Sequence, residues 1–386
     1  MFDGAEGCRD SRGSGYSINR RDFLKRTGAL TLGVGAALGA NWKSAHAEEK
    51  KLTVNGLPAT VLGRTGLIVT RISLGGILIT EPPVLLRAIE RGINFIHTAP
   101  GYQNGRSIEA FGKVMKTHRE KVIIALKVRP EDLDSALKIL NTDYVDILVP
   151  PLHSLGAIND PTIPENFEKA KKAGKCGFMG FACHSHMAAV LNRARELGYF
   201  DVALMSYADT GNAAFVEAAK KANQAGMGIM AMKGLPKRSS RLDPEKVALV
   251  SSLCTSMLER YYAHTVLVSI GSFQAVEAYR EILETKLGYC DPGLEERYWA
   301  QQQGNYCAMC GNCTGVCPQG VEISRVVRYR MYHKDYALTD YAKVKYAAMK
   351  NRVDPAECES CDLCERVCSR RLPLREILTE AHALLA

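Results

Sequence analysis

Between residues 52 and 292 two hydrophobic periods alternate along the chain. Short, almost wholly apolar runs rich in β-branched residues predict strands at 71–74, 95–98, 122–127, 144–149, 178–181, 202–206, 228–232 and 265–269. Apolar positions three and four apart predict helices between them, at 83–91, 164–172, 187–197 and 244–260 among others. Strands that read as continuous apolar runs are buried on both faces, which is the mark of a parallel sheet covered by helices. Eight such strands alternating with helices predict an α/β (β/α)8 TIM barrel, a fold that usually takes about 250 residues. After residue 300 the strand period disappears, and 321–346 and 374–385 read as helices.

Composition adds bounds. The chain has 386 residues, 46% of them hydrophobic, enough for two domains with sizeable cores. Its formal charge is +9, part of it in the first fifty residues. No basic stripe interleaved with aromatics is present, so no nucleic-acid partner is expected.

Residues 1–47 read as a leader. Ser17-Ile18-Asn19-Arg20-Arg21-Asp22-Phe23-Leu24-Lys25 has the form of a twin-arginine signal. The apolar, glycine-rich run 27–40 is shorter than the roughly twenty residues of a membrane span. Ala45-His46-Ala47 supplies a small-x-small cleavage site before Glu48. The expectation is export to the periplasm, or otherwise out of the cytoplasm, through the twin-arginine machinery, a route that carries folded, cofactor-loaded proteins.

The densest chemistry lies at the other end. Cys307, Cys310, Cys313 and Cys317, followed by Pro318, have the spacing C-x2-C-x2-C-x3-C, and Cys358, Cys361, Cys364 and Cys368 repeat it. This is the bacterial ferredoxin run, in which the fourth cysteine of each motif ligates the other motif's cluster. The spacing therefore assigns one [4Fe-4S] cluster to Cys307, Cys310, Cys313 and Cys368, and a second to Cys358, Cys361, Cys364 and Cys317. Zinc also uses paired C-x2-C motifs, but a structural zinc takes four ligands, and eight cysteines in two identical runs fit two clusters better. Ser369 stands where the second motif would carry proline. With helices between the motifs, residues 300–386 read as a helical ferredoxin-like iron–sulfur domain. Cys8, Cys176, Cys183, Cys254 and Cys290 show no paired spacing and read as small apolar residues, with no disulfide framework.

In a (β/α)8 barrel the reactive groups stand at the C-terminal ends of the strands. There the sequence offers His97 and Tyr102 after the second strand, Lys127 after the third, His153 after the fourth, and Cys183, His184 and His186 after the fifth. Each alone reads as a hydrogen-bonded structural residue; as a set they read as a site. Metal ligation by the group after the fifth strand is an alternative without a tight motif behind it. Lys233, Lys237, Arg238 and Arg241 read as a solvated loop, or as a greeting for an anion.

Several of these stretches resemble one family. Leu62-Gly63-Arg64-Thr65-Gly66-Leu67, Gly92-Ile93-Asn94-Phe95, Thr98-Ala99-Pro100-Gly101-Tyr102, Gly105-Arg106-Ser107, Lys127, and Asp143-Tyr144-Val145-Asp146 leading to His153 look like the aldo/keto reductases, over about residues 58–280. A version with a dicluster tail is a recognisable subgroup. The resemblance implies that Tyr102 protonates a carbonyl oxygen, that Lys127 lowers the tyrosine's pKa, and that His153 orients the carbonyl. The family has an aspartate where this chain has His97, so the tyrosine–lysine pair is retuned, or His97 becomes a proton donor itself.

The resemblance also implies a dinucleotide site, and there the sequence departs. Gly180-Phe181-Ala182-Cys183-His184 lacks the polar pair that holds the nicotinamide amide, and no basic residue comes after Ile270 before Arg280. Tyr207 matches the tyrosine that stacks on nicotinamide, and Gly271 and Ser272 could offer backbone N–H groups to a phosphate. NADP(H) is thus left open as a cofactor. The reading is an exported iron–sulfur oxidoreductase acting on a small carbonyl or alcohol, with electrons from a redox partner protein or a quinone-linked donor. Two alternatives remain: an electron-transfer or binding subunit that has lost hydride chemistry, and an ordinary NADP-dependent reductase.

Overall fold

Alternation along each barrel strand decides which side chains meet in the middle. The strands are β4 (Ile72–Gly75), β5 (Phe95–Thr98), β6 (Ile123–Leu126), β7 (Val145–Leu148), β8 (Cys176–Cys183), β9 (Val202–Ser206), β10 (Gly228–Met232) and β11 (Thr265–Ser269). They are parallel, and β11 pairs with β4 to close the barrel. Phe95, Ala125, Ile147, Ala182, Leu204 and Met230 pack in its interior. Their neighbours one residue away, among them Ile96, Ile124, Leu126, Phe181 and Met205, pack in the shell under the helices. This computed structural model describes residues 52–208, 210–236, 244–358 and 360–386. The leader and Lys237, Arg238 and Arg241 lie outside the described residues.

The eight strands fall where the sequence places them, with shifts of a residue or two at their ends. One element was not anticipated. β1 (Thr53–Val54), β2 (Leu57–Val61) and β3 (Ile68–Thr70) form a small antiparallel sheet. Leu62, Leu67 and Val69 from it complete the interior cluster and stopper the N-terminal end of the barrel. Gly63 makes the turn possible. Its φ is +51°, and a Cβ there would stand 2.3 Å from the backbone nitrogen of Gly228.

The shell helices are α1 (Pro82–Glu90), α2 (Arg106–His118), α3 (Leu133–Leu140), α4 (Leu155–Ile158), α5 (Thr162–Lys172), α6 (Met187–Leu197), α7 (Ala213–Gln224), α8 (Pro244–Glu259) and α9 (Phe273–Glu281). α10 (Pro292–Gln301) lies between the expected barrel and tail segments. It is fastened to α8 where Glu295 accepts hydrogen bonds from Ser252 (2.7 Å) and Ser256 (2.6 Å).

The tail is helical, as expected, but 321–346 is not one helix. It divides into α11 (Ile323–Tyr336) and α12 (Thr339–Ala347). Ala337 takes a left-handed φ of +54°, and the following Leu338 N–H returns to the Tyr332 carbonyl at 2.9 Å. That closure satisfies a terminal carbonyl and ends α11 in a capped turn. The short α13 (Pro355–Cys358) and α14 (Leu363–Arg366) carry the second cysteine run, and α15 (Leu374–Leu385) closes the chain. Val326, Ala342, Tyr346, Leu374 and Leu378 form the tail's own core. Among the described residues, barrel and tail together form one compact unit.

Candidate active site

The inward face of three adjacent or near strands carries the site. His97 stands two residues after Phe95, Lys127 two after Ala125, and His184 two after Ala182, and each of those three apolar residues packs inside the barrel. A period of two therefore aims all three polar side chains into the C-terminal mouth. Tyr102 reaches the same place from a loop that is tied down. Ser107 donates to the Gly76 carbonyl (2.8 Å) and contacts the Thr98 hydroxyl (3.1 Å), while Gln103 Nε2 donates to the Ile77 carbonyl (3.0 Å).

These residues come together. The rings of His97 and Tyr102 meet edge to face with centroids 5.8 Å apart. Lys127 Nζ lies 4.8 Å from the centre of the Tyr102 ring. The His184 backbone N–H donates to His153 Nδ1 at 3.3 Å, and the two imidazoles are 4.9 Å apart.

Burial sets their charge states. It drives His97 down to about 3, helped by the positive charge of Lys127. His153 also falls to about 3, through burial and then the charges of Arg328, Lys127, Lys233 and Arg325. His184 is depressed well below its ordinary value, again mainly by burial. Lys127 is lowered to about 8 by burial, Arg328 and Lys345. The resemblance implied that Lys127 would pull the Tyr102 phenol down. Instead burial, with Tyr332 and Tyr341 beside it, pushes Tyr102 well above its usual range, against the smaller pull of Arg328. At neutral pH the site thus holds neutral imidazoles, a protonated phenol and a lysine close to its titration point.

The tail supplies the roof. His186 N–H donates to the Cys310 carbonyl (3.1 Å), and Tyr306 Oη donates to the Lys233 carbonyl (3.3 Å). Lys233 Nζ donates to Met309 Sδ at 3.5 Å. Ala208 of the barrel packs with Tyr306, Met331, Tyr332 and Tyr336 of the tail. On α11 the spacing of four places Arg328, Tyr332 and Tyr336 along one stripe toward the barrel, while Val326 and Val327 turn to the tail's core. Lys233 is no solvated loop residue: burial, Arg328 and Lys127 hold its pKa well down. Arg328, Tyr332 and Lys345 were not singled out from the sequence, because nothing in a helix's own pattern says which foreign surface its second face meets.

The eight motif cysteines divide into two fours. Beyond burial, Cys313 is raised, to about 12, by the charges of Cys307, Cys310 and Cys368. Cys358 is likewise raised by burial and then by Cys317 and Cys361. Cys364 rises to about 11 through burial, Glu365, and then Cys361 and Cys358. Cys307, Cys310, Cys313 and Cys368 line one cavity, closed by Val327 and Leu372. Into it Met309 N–H donates to Cys307 Sγ (3.4 Å), Leu372 N–H to Cys368 Sγ (3.5 Å) and the Ser369 hydroxyl to Cys310 Sγ (3.4 Å). Among the described residues no three His, Cys, Asp or Glu side chains converge as the ligands of a single metal ion.

Tyr207 and Cys183 face the outer shell, while Gly271 and Ser272 stand at the start of α9, the helix start expected of them. Tyr207 packs in the outer shell, edge to face with Phe215 at 5.2 Å, and its hydroxyl donates to the Tyr261 carbonyl at 2.8 Å. Cys183, one residue from inward-facing His184, points into the same shell, its thiol donating to the Ser185 carbonyl at 3.0 Å. Ser272 caps α9, its hydroxyl accepting from Ala275 N–H at 3.2 Å, and Gly271 lies against Leu78.

Residues 82–235 match the model of the aldo/keto reductase family. Aldo-keto reductase YhdN of Bacillus subtilis is 30% identical, over 23% of this chain and 36% of that protein. The oxidoreductase YqkF of the same organism is 30% identical, over 31% and 47%. The chain spans less than half the length of these curated relatives. The solved structure of aldo-keto reductase AKR11C1 from Bacillus halodurans, in its holo form, superposes with a TM-score of 0.50 at 19% identity, covering 64% of this chain and 96% of that one. That likeness is one of fold. The aldo/keto reductase match takes in His97, Tyr102, Lys127, His153, His184 and Lys233 and ends before the tail.

Proposed function

We propose that the protein is an exported iron–sulfur oxidoreductase of aldo/keto reductase type that interconverts a small carbonyl and its alcohol. Reduction of the carbonyl takes two electrons and two protons. Tyr102, kept protonated by burial, is placed to give a proton to the carbonyl oxygen. Lys127 lies against its ring and His153 feels the Lys127 charge; the two would hold that oxygen as negative charge grows on it. His97, neutral and buried, replaces the family's carboxylate and leaves Lys127 without an ion pair among the described residues.

The observation that carries the iron–sulfur part is the cavity lined by Cys307, Cys310, Cys313 and Cys368, which is the crossed set the spacing assigns. Its sulfurs already accept N–H and O–H donors, as cluster thiolates do. The lack of a tight three-ligand group does not oppose this. A cubane's four thiolates each bind a different iron, so they stand farther apart than ligands around one ion. Cys358, Cys361, Cys364 and Cys317 would hold the second cluster. When bound, the clusters would supply electrons one at a time from a redox partner protein or quinone-linked donor. The twin-arginine pattern supports export in the loaded, folded state, and NADPH is not expected outside the cytoplasm.

The test is anaerobic purification with iron and acid-labile sulfide counts, followed by reduction of small carbonyls with a reduced viologen or with NADPH. Two clusters per chain and viologen-driven turnover that Tyr102→Phe abolishes are expected. Absence of sulfide, or equal turnover by Tyr102→Phe, would remove the reading. Turnover with NADPH alone would favour an ordinary reductase. Clusters without any turnover would favour an electron-transfer subunit, the reading that His97 at the family's aspartate position supports.

A further inference from the structure

The roofed mouth gathers cations without counter-charges. Lys127 lies over the Tyr102 ring, and Lys345 Nζ stands 3.7 Å from where a Cβ on Gly101 would be. Lys233 Nζ lies against Met309, and Arg328 is carried on the barrel-facing stripe of α11, its charge acting on both Lys127 and Lys233. Among the described residues none of these four is paired with a carboxylate, although exposed arginines and lysines elsewhere find one readily, as in Arg87–Glu277 and Arg280–Glu284. Five buried side-chain nitrogens among the described residues have no hydrogen-bond partner, and three belong to this chamber: His97 Nε2, His184 Nδ1 and Arg328 Nε. His97 and His184 are only 3% and 5% exposed. Orphaned polar atoms in a buried chamber are costly unless a ligand answers them.

We infer that the chamber takes a small carbonyl compound that bears an oxoanion next to the carbonyl, a 2-oxo acid or the matching 2-hydroxy acid, with Arg328 gripping the carboxylate. This rests on the proposed carbonyl chemistry and names its substrate class. The adjacency comes from Arg328 itself. Its charge acts on Tyr102, Lys127 and His153, the three groups that would hold the carbonyl oxygen, and also on His184 and Lys233 behind them. Arg328 also lies on the barrel-facing stripe of α11 with Tyr332, its Nε buried and unpartnered, so an anion it holds would share the roofed mouth with a carbonyl held at Tyr102. A guanidinium suits a planar carboxylate through two parallel N–H donors, and the neutral imidazoles can donate from the nitrogens now unpartnered. A loaded cluster on Cys307 would be negative and would answer Lys233. Lys127 and Lys345 lie on the Tyr102 side.

The test measures binding without turnover. Full-length, anaerobically purified holoprotein is titrated calorimetrically with oxamate, a redox-inert analogue of a 2-oxo acid, and with oxamide, its uncharged counterpart. Wild type should bind oxamate at least about tenfold more tightly than oxamide. Arg328→Gln should remove about tenfold or more of the oxamate affinity and leave oxamide unchanged, and Arg328→Lys should recover part of it. Equal affinities for the two probes in wild type, or no oxamate binding, overturn the inference whatever the variants do. If Arg328→Gln shifts the cluster potential but not oxamate affinity, Arg328 serves the cluster and the inference also falls. Oxamate discrimination with no carbonyl turnover would sink the proposed reaction and leave the anion site. Turnover of neutral aldehydes without oxamate binding would do the reverse.

Discussion

His186 of the barrel lays its imidazole directly on Gly311 of the tail. A Cβ at Gly311 would stand 2.8 Å from His186 Nε2, and the glycine's φ of +90° already excludes most side chains. Gly311→Ala therefore meets both a steric and a backbone obstacle, together worth about 1–3 kcal/mol. The ring is the movable partner. His186→Ala should recover the steric share and not the backbone share, so a double-mutant cycle by thermal denaturation should give a nonzero coupling. Strict additivity would place the contact elsewhere.

The crossed arrangement of the cysteines makes a second expectation. Cys368→Ser should deplete the cluster of the first motif, although Cys368 belongs to the second, and Cys317→Ser should deplete the other. Each variant should lose about half of the iron, and electron paramagnetic resonance of the reduced proteins should show a different survivor in each. Identical spectra from the two variants would refute the crossing.

A third concerns acid. His97 titrates near 3 in the folded protein against an ordinary 6.5, with burial the main cause. The unfolded chain therefore takes up the proton first. The contribution is whole above the ordinary value and is lost as pH falls from about 6.5 toward 3. At about pH 5 the loss from this one residue is about 2 kcal/mol. His97→Gln removes the titrating group, so its melting temperature should fall less than that of wild type between about pH 7 and pH 5. Parallel curves would contradict the buried neutral state.

Lys127 sets the alkaline limit. Its pKa is about 8, depressed by burial and by Arg328 and Lys345. If its charge steadies the oxyanion at Tyr102, kcat/KM should decline as pH rises through about 8. Lys345→Ala removes one of the repelling charges and should move that limb upward, a shift visible in the pH–rate profile of the carbonyl assay.

Much of this was legible in the residues. The strands at 95–98, 202–206, 228–232 and 265–269 stand where their short, mostly apolar runs put them, as expected of parallel strands buried on both faces. His97, Lys127 and His153 stand out in the sequence as ionisable groups at or just past the ends of apolar strands, where a barrel keeps its reactive side chains. The expected fate of Tyr207 was harder to read. Its identity matches a stacking tyrosine, yet it shares the outward parity of Met205, and the shell takes it. The stopper formed by Leu62, Leu67 and Val69 and the break at Ala337 depend on contacts and turn closures that a hydrophobic period does not carry. Arg328 escaped for a related reason: it is one polar residue on a helix whose apolar stripe already explains that helix.

The roof over the mouth is made from the same polypeptide that bears the cysteines. In a barrel of this kind the strand-to-helix loops usually decide what is admitted. Here Arg328 and Tyr332 sit five to nine residues from the cavity-lining Ile323, so in the proposed reaction the choice of guest and the delivery of current would be cut from one piece. Grafting a foreign tail onto this barrel would exchange both properties in a single step, and neither could be inherited without the other.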